Sequence, residues 1–122
     1  MSGGLERVID AYVAAWNEPD AAARAKLLDE AVVDEFVFEG PSGHFRGRPA
    51  VEELIAAMRE RMPGTEVIRI GDCIVRAGGE PPRFGWEIRT VSGQPLLAGT
   101  DKAEVGDDGR LRRVEMEGFG GT

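Results

Sequence analysis

The sequence predicts a single α+β domain, in which three N-terminal helices cover one face of a curved, mostly antiparallel sheet. Three observations support this prediction. Apolar residues recur at helical spacing in the N-terminal half, and β-branched and aromatic runs separated by Gly-rich turns fill the C-terminal half. The length of 122 residues is that of one domain with one core, so we expect residues 1–122 to form a single unit.

The N-terminal helices are predicted from apolar spacing and from residues that start or stop a helix. Apolar side chains line one side of a helix from about Gly4 to Trp16, and Pro19 ends that pattern. Asp20 is placed to cap a second helix, which ends near residues 28–29. A third helix begins near Pro49, since proline is favoured in a first helical turn.

One short strand is predicted between the second and third helices, at Glu35–Glu39. Gly40–Gly43 breaks this strand, and His44–Arg48 then leads into the third helix. Pro63 and Gly64 end that helix. We therefore expect the long sheet to begin only after this point.

The C-terminal half is predicted to be an antiparallel meander of four strands. The strands are Glu66–Arg76, Arg83–Val91, Pro95–Val105 and Arg110–Gly118, and the turns are Ala77–Pro82, Ser92–Gln94 and Gly106–Gly109. Because successive side chains of a strand point to opposite faces, Asp101 falls on the same face as Leu97 and Ala103. Alternation thus places a carboxyl group on the buried side of the sheet.

Composition excludes several classes of protein. The net charge of −7 repels nucleic acid and anionic lipid, and no apolar run is long enough to span a membrane. The first sixteen residues contain no signal-peptide core, so we expect a cytoplasmic protein. Cys73 is the only cysteine and His44 the only histidine, which excludes an internal disulfide and a His/Cys zinc site. No metal and no cofactor are predicted.

Three short segments carry a resemblance to a known superfamily. Tyr12–Asn17 ends the first helix, Gly99–Asp101 lies on the penultimate strand, and Asp108–Leu111 forms the turn before the last strand. With the order of the elements, these segments resemble the ketosteroid-isomerase and SnoaL-like branch of the nuclear-transport-factor-2-like superfamily. The likeness covers nearly the whole chain and implies a cone-shaped roll of sheet wrapped around the helices.

The resemblance also implies catalytic residues. Tyr12 and Asp101 match the tyrosine and the aspartic acid that form the oxyanion hole of the ketosteroid isomerases. Two neutral O–H donors in a dry cavity stabilise the negative charge that develops on a carbonyl oxygen during enolisation. The resemblance therefore implies carbonyl chemistry at a pocket that contains both residues.

One element of the isomerase site differs in this chain. The isomerases carry a catalytic aspartate immediately before a proline, and the matching position here is Gly40, which cannot accept a proton. Glu39 is adjacent, but alternation points it away from the cavity. Glu39, His44 or a bound water are the candidates to move the proton. SnoaL-like cyclases use an acidic residue near the end of the last strand, where Glu117 is the candidate.

The predicted pocket wall is mostly apolar, and each candidate also has an ordinary structural interpretation. The wall residues are Trp16, Phe38, Gly40, Phe84, Trp86, Val114 and Met116. Aromatic side chains generally report core packing, and Tyr12 is also explained as a core tyrosine. Asp101 is equally explained by pairing with an arginine, and His44 by a place on the surface. The sequence leaves these alternatives open.

Two main hypotheses of function follow. The first is a small isomerase or cyclase acting on a hydrophobic carbonyl compound through Tyr12 and Asp101. The second is a non-catalytic module that binds a steroid-, phenol- or polyketide-like molecule with the same two donors. A third is a protein-interaction domain that uses the outer sheet face, through which we also expect a homodimer.

Overall fold

The computed structural model describes residues 2–75 and 78–121, which form three helices and six strands. The helices are α1 (Ser2–Asn17), α2 (Ala21–Ala31) and α3 (Arg48–Arg61). The strands are β1 (Val32–Gly40), β2 (Gly43–Arg46), β3 (Glu66–Ile74), β4 (Arg83–Arg89), β5 (Pro95–Val105) and β6 (Leu111–Gly121). None of the helices in these ranges is long and apolar enough to cross a membrane.

The strands form one open, mixed sheet in the order β2-β1-β6-β5-β4-β3. The pairs β1–β2, β3–β4, β4–β5 and β5–β6 are antiparallel, and β1 pairs with β6 in parallel. The predicted α+β class with a mostly antiparallel sheet is therefore confirmed. The parallel pair joins segments far apart in the chain, so a local sequence pattern does not reveal it.

The predicted helices and strands are present, but α2 extends to Ala31, β4 ends at Arg89 and β6 extends to Gly121. Asp20 caps α2 by accepting a hydrogen bond from the Ala23 amide at 2.9 Å, as expected.

The largest differences are at β1 and β2. β1 is longer than predicted because it begins at Val32, directly after α2. Gly40 and Gly43 pair across a tight turn, so β2 is a hairpin strand and not the predicted connecting segment.

Some sequence predictions fall on residues whose structure is not described. Arg76, the predicted end of the third strand, and Ala77, the predicted start of the next turn, lie outside the described residues. Met1 and Thr122 also lie outside them.

The core lies between the helices and one face of the sheet. Its largest fully buried side chains are Ile9, Leu28, Val32, Phe36, Val51, Ile55, Phe84, Leu111 and Val114. Aromatic rings join the layers, since Tyr12 of α1 contacts Phe36 of β1 at 5.6 Å and Phe84 of β4 at 6.5 Å between ring centroids. Edge-to-face contacts of this kind add packing energy to the burial of the rings. They also fix Tyr12 against the sheet.

The last residue of α1 ties the helix to an edge strand. The Asn17 side-chain amide donates to the Val67 carbonyl at 2.8 Å, and the Val67 amide donates to Asn17 Oδ1 at 2.7 Å. Val67 belongs to β3, whose outer edge has no neighbouring strand in the sheet order. One side chain thus supplies the two hydrogen bonds that a neighbouring strand would supply, and it holds the C-terminal end of α1 in place.

We expect Asn17→Ala to lower the free energy of unfolding by about 2 kcal/mol, because the half-buried amide and carbonyl groups of Val67 lose their partner. Urea unfolding followed by fluorescence measures the change. Gln94→Ala is the matched control, since it removes an exposed side-chain amide and should change stability by less than about 0.5 kcal/mol. Equal stabilities of the two variants would show that the Asn17 bonds add nothing.

Candidate functional site

A cavity of about 60 Å³ lies between α1, α3 and the sheet. Its lining residues are Tyr12, Val13, Trp16, Phe38, Met58, Val67, Phe84, Trp86, Ile88, Asp101 and Met116. All but two of these side chains are apolar or indole rings. The structure therefore brings Tyr12 and Asp101 to one almost wholly apolar cavity.

The Tyr12 hydroxyl is a buried donor without a partner. The residue is 2% exposed, and its hydroxyl makes no hydrogen bond to any residue in the described part of the chain. Burial raises the pKa of Tyr12 well above its ordinary value, and the charge of Asp101 raises it further. The nearby Trp16 indole lowers the pKa of Tyr12 in part, but it is not placed to form a hydrogen bond with the hydroxyl. Tyr12 is thus a neutral phenol, able to donate a proton into a hydrogen bond.

Asp101 is a buried carboxyl group held by one indole. It is 5% exposed, and Trp86 Nε1 donates to its Oδ1 at 2.8 Å. Burial raises the pKa of Asp101 to about 7, the Trp86 hydrogen bond opposes this rise, and the charge of Glu117 adds to it. Asp101 is therefore largely neutral below pH 7, where it can act as a second O–H donor.

Glu117 acts on Asp101 through its charge and lies outside the cavity wall. Thr100 pairs with Gly118 and Asp101 pairs with Met116, so Glu117 is the extra residue of a bulge in β6. It accepts hydrogen bonds from Arg83 at 2.7 and 3.2 Å. The acidic residue suggested by the likeness to the cyclases is thus in an ion pair beside the site.

Glu39 and His44 lie away from the cavity. The carboxylate of Glu39 contacts His44 Nδ1 at 2.8 Å and Arg113 at 2.5 Å. Both residues border a separate surface cleft that they share with Gly40 and Met116. The Glu39 side chain points away from the cavity, as strand alternation predicts. The structure does not bring either candidate base to Tyr12.

Gly40 borders the surface cleft and is not among the residues that line the cavity. A Cβ at this position would stand 2.9 Å from the Phe38 ring and 3.9 Å from Met116 Cε. The Phe38 ring therefore crowds the space that a side chain at position 40 would need. Val114 was also predicted to line the pocket, but it is fully buried in the core and is not among the lining residues.

Sequence reasoning missed part of the wall, namely Val13, Met58, Val67 and Ile88. The apolar spacing of α1 and α3 marks Val13 and Met58 as inward-facing. Nothing in that spacing distinguishes a side chain that borders a void from one packed against its neighbours. Across residues 2–75 and 78–121, no cluster of three His, Cys, Asp or Glu side chains could hold a metal ion.

The family model of the SnoaL-like domain matches residues 9–114. The chain belongs to the SnoaL-like family. No functionally curated protein matches the sequence. The resemblance seen in the sequence is thereby confirmed for the fold and the family.

Solved structures place this SnoaL-like domain among nuclear-transport-factor-2-like folds. A candidate isomerase of the SnoaL-like family from Agrobacterium tumefaciens aligns with a TM-score of 0.82 at 25% identity, over 95% of this chain and 99% of that one. A nuclear-transport-factor-2-like protein of unknown function from Exiguobacterium aligns with a TM-score of 0.72 at 18% identity, over 89% and 95% of the two chains. A candidate polyketide cyclase from Sinorhizobium meliloti aligns with a TM-score of 0.68 at 17% identity, over 91% and 94%.

Proposed function

We propose that this SnoaL-like domain binds a small lipophilic carbonyl compound and isomerises it through its enol. Tyr12 and Asp101 would hold the carbonyl oxygen. The observation that carries this proposal is the unpartnered Tyr12 hydroxyl in the same apolar cavity as a carboxyl group with a pKa of about 7. An unsatisfied buried hydroxyl is unfavourable in a core, so a ligand oxygen is a natural partner for it.

The proposed chemistry uses the two groups as neutral donors. When a proton leaves the carbon next to the carbonyl group, the electron pair moves into the C–C bond and negative charge develops on the carbonyl oxygen. Hydrogen bonds from Tyr12 and from protonated Asp101 would stabilise this charge. In a preorganised, water-poor site each donor contributes roughly 3 to 4 kcal/mol. The proton then returns to another carbon of the same molecule, which makes the reaction an isomerisation.

Proton transfer in the proposed reaction needs an acceptor from outside the cavity wall. Among the described lining residues, Tyr12 and Asp101 are the only ionisable side chains. Glu39 and His44 border the outer cleft, and Met116 lines both that cleft and the cavity. They would take part through a water that passes the flexible methionine side chain.

The missing base supports a second candidate function, in which the domain binds its ligand without turning it over. A general base typically contributes about 10²- to 10⁴-fold to rate, whereas binding of a phenol needs only the two donors. The same pair would then hold a phenol or an enol in the cavity.

The size of the cavity narrows the ligand class in both cases. Its volume of about 60 Å³ is smaller than the ~150 Å³ of an engineered cavity that holds benzene. A compound with one ring needs some opening of the wall, which Met58 and Met116 can provide because their side chains are flexible. A steroid-sized molecule would need a far larger opening of the wall, so we propose that the ligands have a single ring or are smaller.

The names of two structural neighbours agree with this proposal. One is a candidate isomerase, and the other is a candidate polyketide cyclase, whose substrates carry carbonyl groups. The isomerase, at 25% identity and a TM-score of 0.82, is the neighbour whose name bears on the proposed reaction, and the cyclase, at 17% identity, shares the fold.

The binding step is tested by titration with single-ring phenols at pH 6. We expect Tyr12→Phe and Asp101→Leu each to weaken binding by about 10- to 100-fold, because each removes a hydrogen bond in a dry site. Thr100→Val is the matched control, since it removes a hydroxyl from the residue next to Asp101 on the strand. Equal binding by the wild type and both site variants would refute the site.

Turnover is tested with cyclohex-3-enone, whose conversion to the conjugated ketone is followed by absorbance. An isomerase should lose about 10²- to 10³-fold in kcat/KM on Tyr12→Phe. Phenol binding without any turnover would favour the non-catalytic module. Absence of both would contradict the proposed function.

A further inference from the structure

We propose that Trp86 is a positioning residue, which holds Asp101 so that the carboxyl proton sits on Oδ2 and points to the ligand. This inference rests on the proposed function, since it assigns the orientation of one of the two donors. The indole of Trp86 donates to Asp101 Oδ1 at 2.8 Å, and both side chains are buried.

The direction of this hydrogen bond determines which carboxyl oxygen of Asp101 carries the proton. An indole N–H is only a donor, so the oxygen that it contacts must accept. In a neutral carboxyl group the carbonyl oxygen is the better acceptor, and the proton then resides on the other oxygen. With Oδ1 of Asp101 bonded to Trp86, Oδ2 carries the proton and remains available to a ligand oxygen.

A glycine on the neighbouring strand leaves room for the Trp86 indole to make this contact. Trp86 of β4 stands opposite Gly99 of β5, and Asp101 is two residues further along β5. A Cβ on Gly99 would lie 2.5 Å from Trp86 Cζ2 and 2.9 Å from Cε2. The indole can therefore lie across the strand and reach Asp101 only because position 99 lacks a side chain.

Within the described part of the chain, few groups other than Trp86 act on the charge of Asp101. Tyr12 of α1 is neutral and faces the same cavity, and Glu117 of β6 acts by its charge from outside. Met58 of α3 carries no titratable group, and β4 contributes Trp86 itself. Changes in the indole with pH should therefore report mainly the ionisation of Asp101.

The experiment is an NMR titration of the indole N–H signals of the two tryptophans, assigned with Trp16→Phe. We expect the Trp86 signal to move with a midpoint near pH 7, since its acceptor gains a charge there, and to stop moving in Asp101→Asn. The Trp16 signal serves as an internal control from the same cavity. A Trp86 signal that is insensitive to pH, or that titrates unchanged in Asp101→Asn, would overturn the inference.

The second readout is the pH dependence of phenol affinity in Trp86→Phe. Removing the N–H should raise the midpoint at which affinity is lost by about one pH unit, and should weaken binding about tenfold at pH 6. If Trp86→Phe only loosens the core, binding will be weaker but the pH midpoint of affinity will not change. That result would overturn the positioning role of Trp86 and would leave the proposed function standing. Failure of the wild type to bind any phenol would instead overturn the proposed function.

Discussion

Asp101→Asn is expected to raise the free energy of unfolding at neutral pH, because it removes the cost of ionising a buried carboxyl group. The pKa of Asp101 is raised from 3.8 to about 7 by burial, so the folded state binds this proton more tightly than the unfolded state. Asn carries no proton to lose and still offers an oxygen to the Trp86 indole. The variant should therefore gain stability relative to the wild type as the pH rises.

The direction of the change follows from proton linkage. Between pH 4 and pH 7 the folded state holds more protons than the unfolded state, so wild-type stability falls as the pH rises through this window. Each pKa unit corresponds to about 1.4 kcal/mol, which gives a loss of about 4 kcal/mol for Asp101. Well below pH 4 the carboxyl is protonated in both states, and above pH 8 it is ionised in both, so the stability loss no longer changes with pH outside this range.

The measurement is the difference in unfolding free energy between wild type and Asp101→Asn at several pH values. We expect this difference to shift by about 4 kcal/mol in favour of the variant between pH 4 and pH 8. Asp108→Asn is the control, because hydrogen bonds from the Arg110 amide and side chain lower the pKa of Asp108 below its ordinary value. Its contribution to stability therefore changes only below about pH 4, and the difference for this variant should stay flat between pH 4 and pH 8. A flat difference for Asp101→Asn would mean that the carboxyl is not buried as described.

Gly99→Ala is expected to lower the free energy of unfolding by about 3 kcal/mol. The added Cβ would lie 2.5 Å from the Gly118 carbonyl oxygen and 2.5 Å from the Trp86 ring. The backbone oxygen cannot easily yield, and a shift of the indole would break its bond to Asp101. We therefore expect both a loss of stability and a weaker affinity for phenols.

Gly118→Ala is the matched control for this substitution. Gly118 lies on β6 opposite Thr100, and an added Cβ there meets nothing within 4 Å. Its effect on stability should stay within about 0.5 kcal/mol. If Gly99→Ala behaved like Gly118→Ala, the close packing of the indole over β5 would be wrong.

Local patterns in the sequence predict much of the site. Helical spacing places Tyr12 on the inward side of α1, and strand alternation places Asp101 on the buried face of β5. Alternation also predicts that Glu39 points away, and in the structure it contacts His44 and Arg113 outside the cavity. These predictions succeed because each depends on the geometry of a single element.

Features that depend on pairing between elements are harder to predict from the sequence. The Trp86–Asp101 bond requires the register of β4 against β5, and the role of Glu117 requires the bulge in β6. The strand β2 has only four residues and an exposed, mostly polar pattern, so its sequence resembles a loop. The cytoplasmic location and the homodimer through the outer sheet face stay predictions.

A crystal structure with a single-ring phenol bound at pH 6 tests the central claim most directly. We predict that the phenol oxygen lies within about 2.6 to 3.2 Å of both the Tyr12 hydroxyl and Asp101 Oδ2, with Trp86 still bonded to Oδ1. A phenol bound elsewhere, or one in the cavity with its oxygen turned away from both groups, would contradict the account.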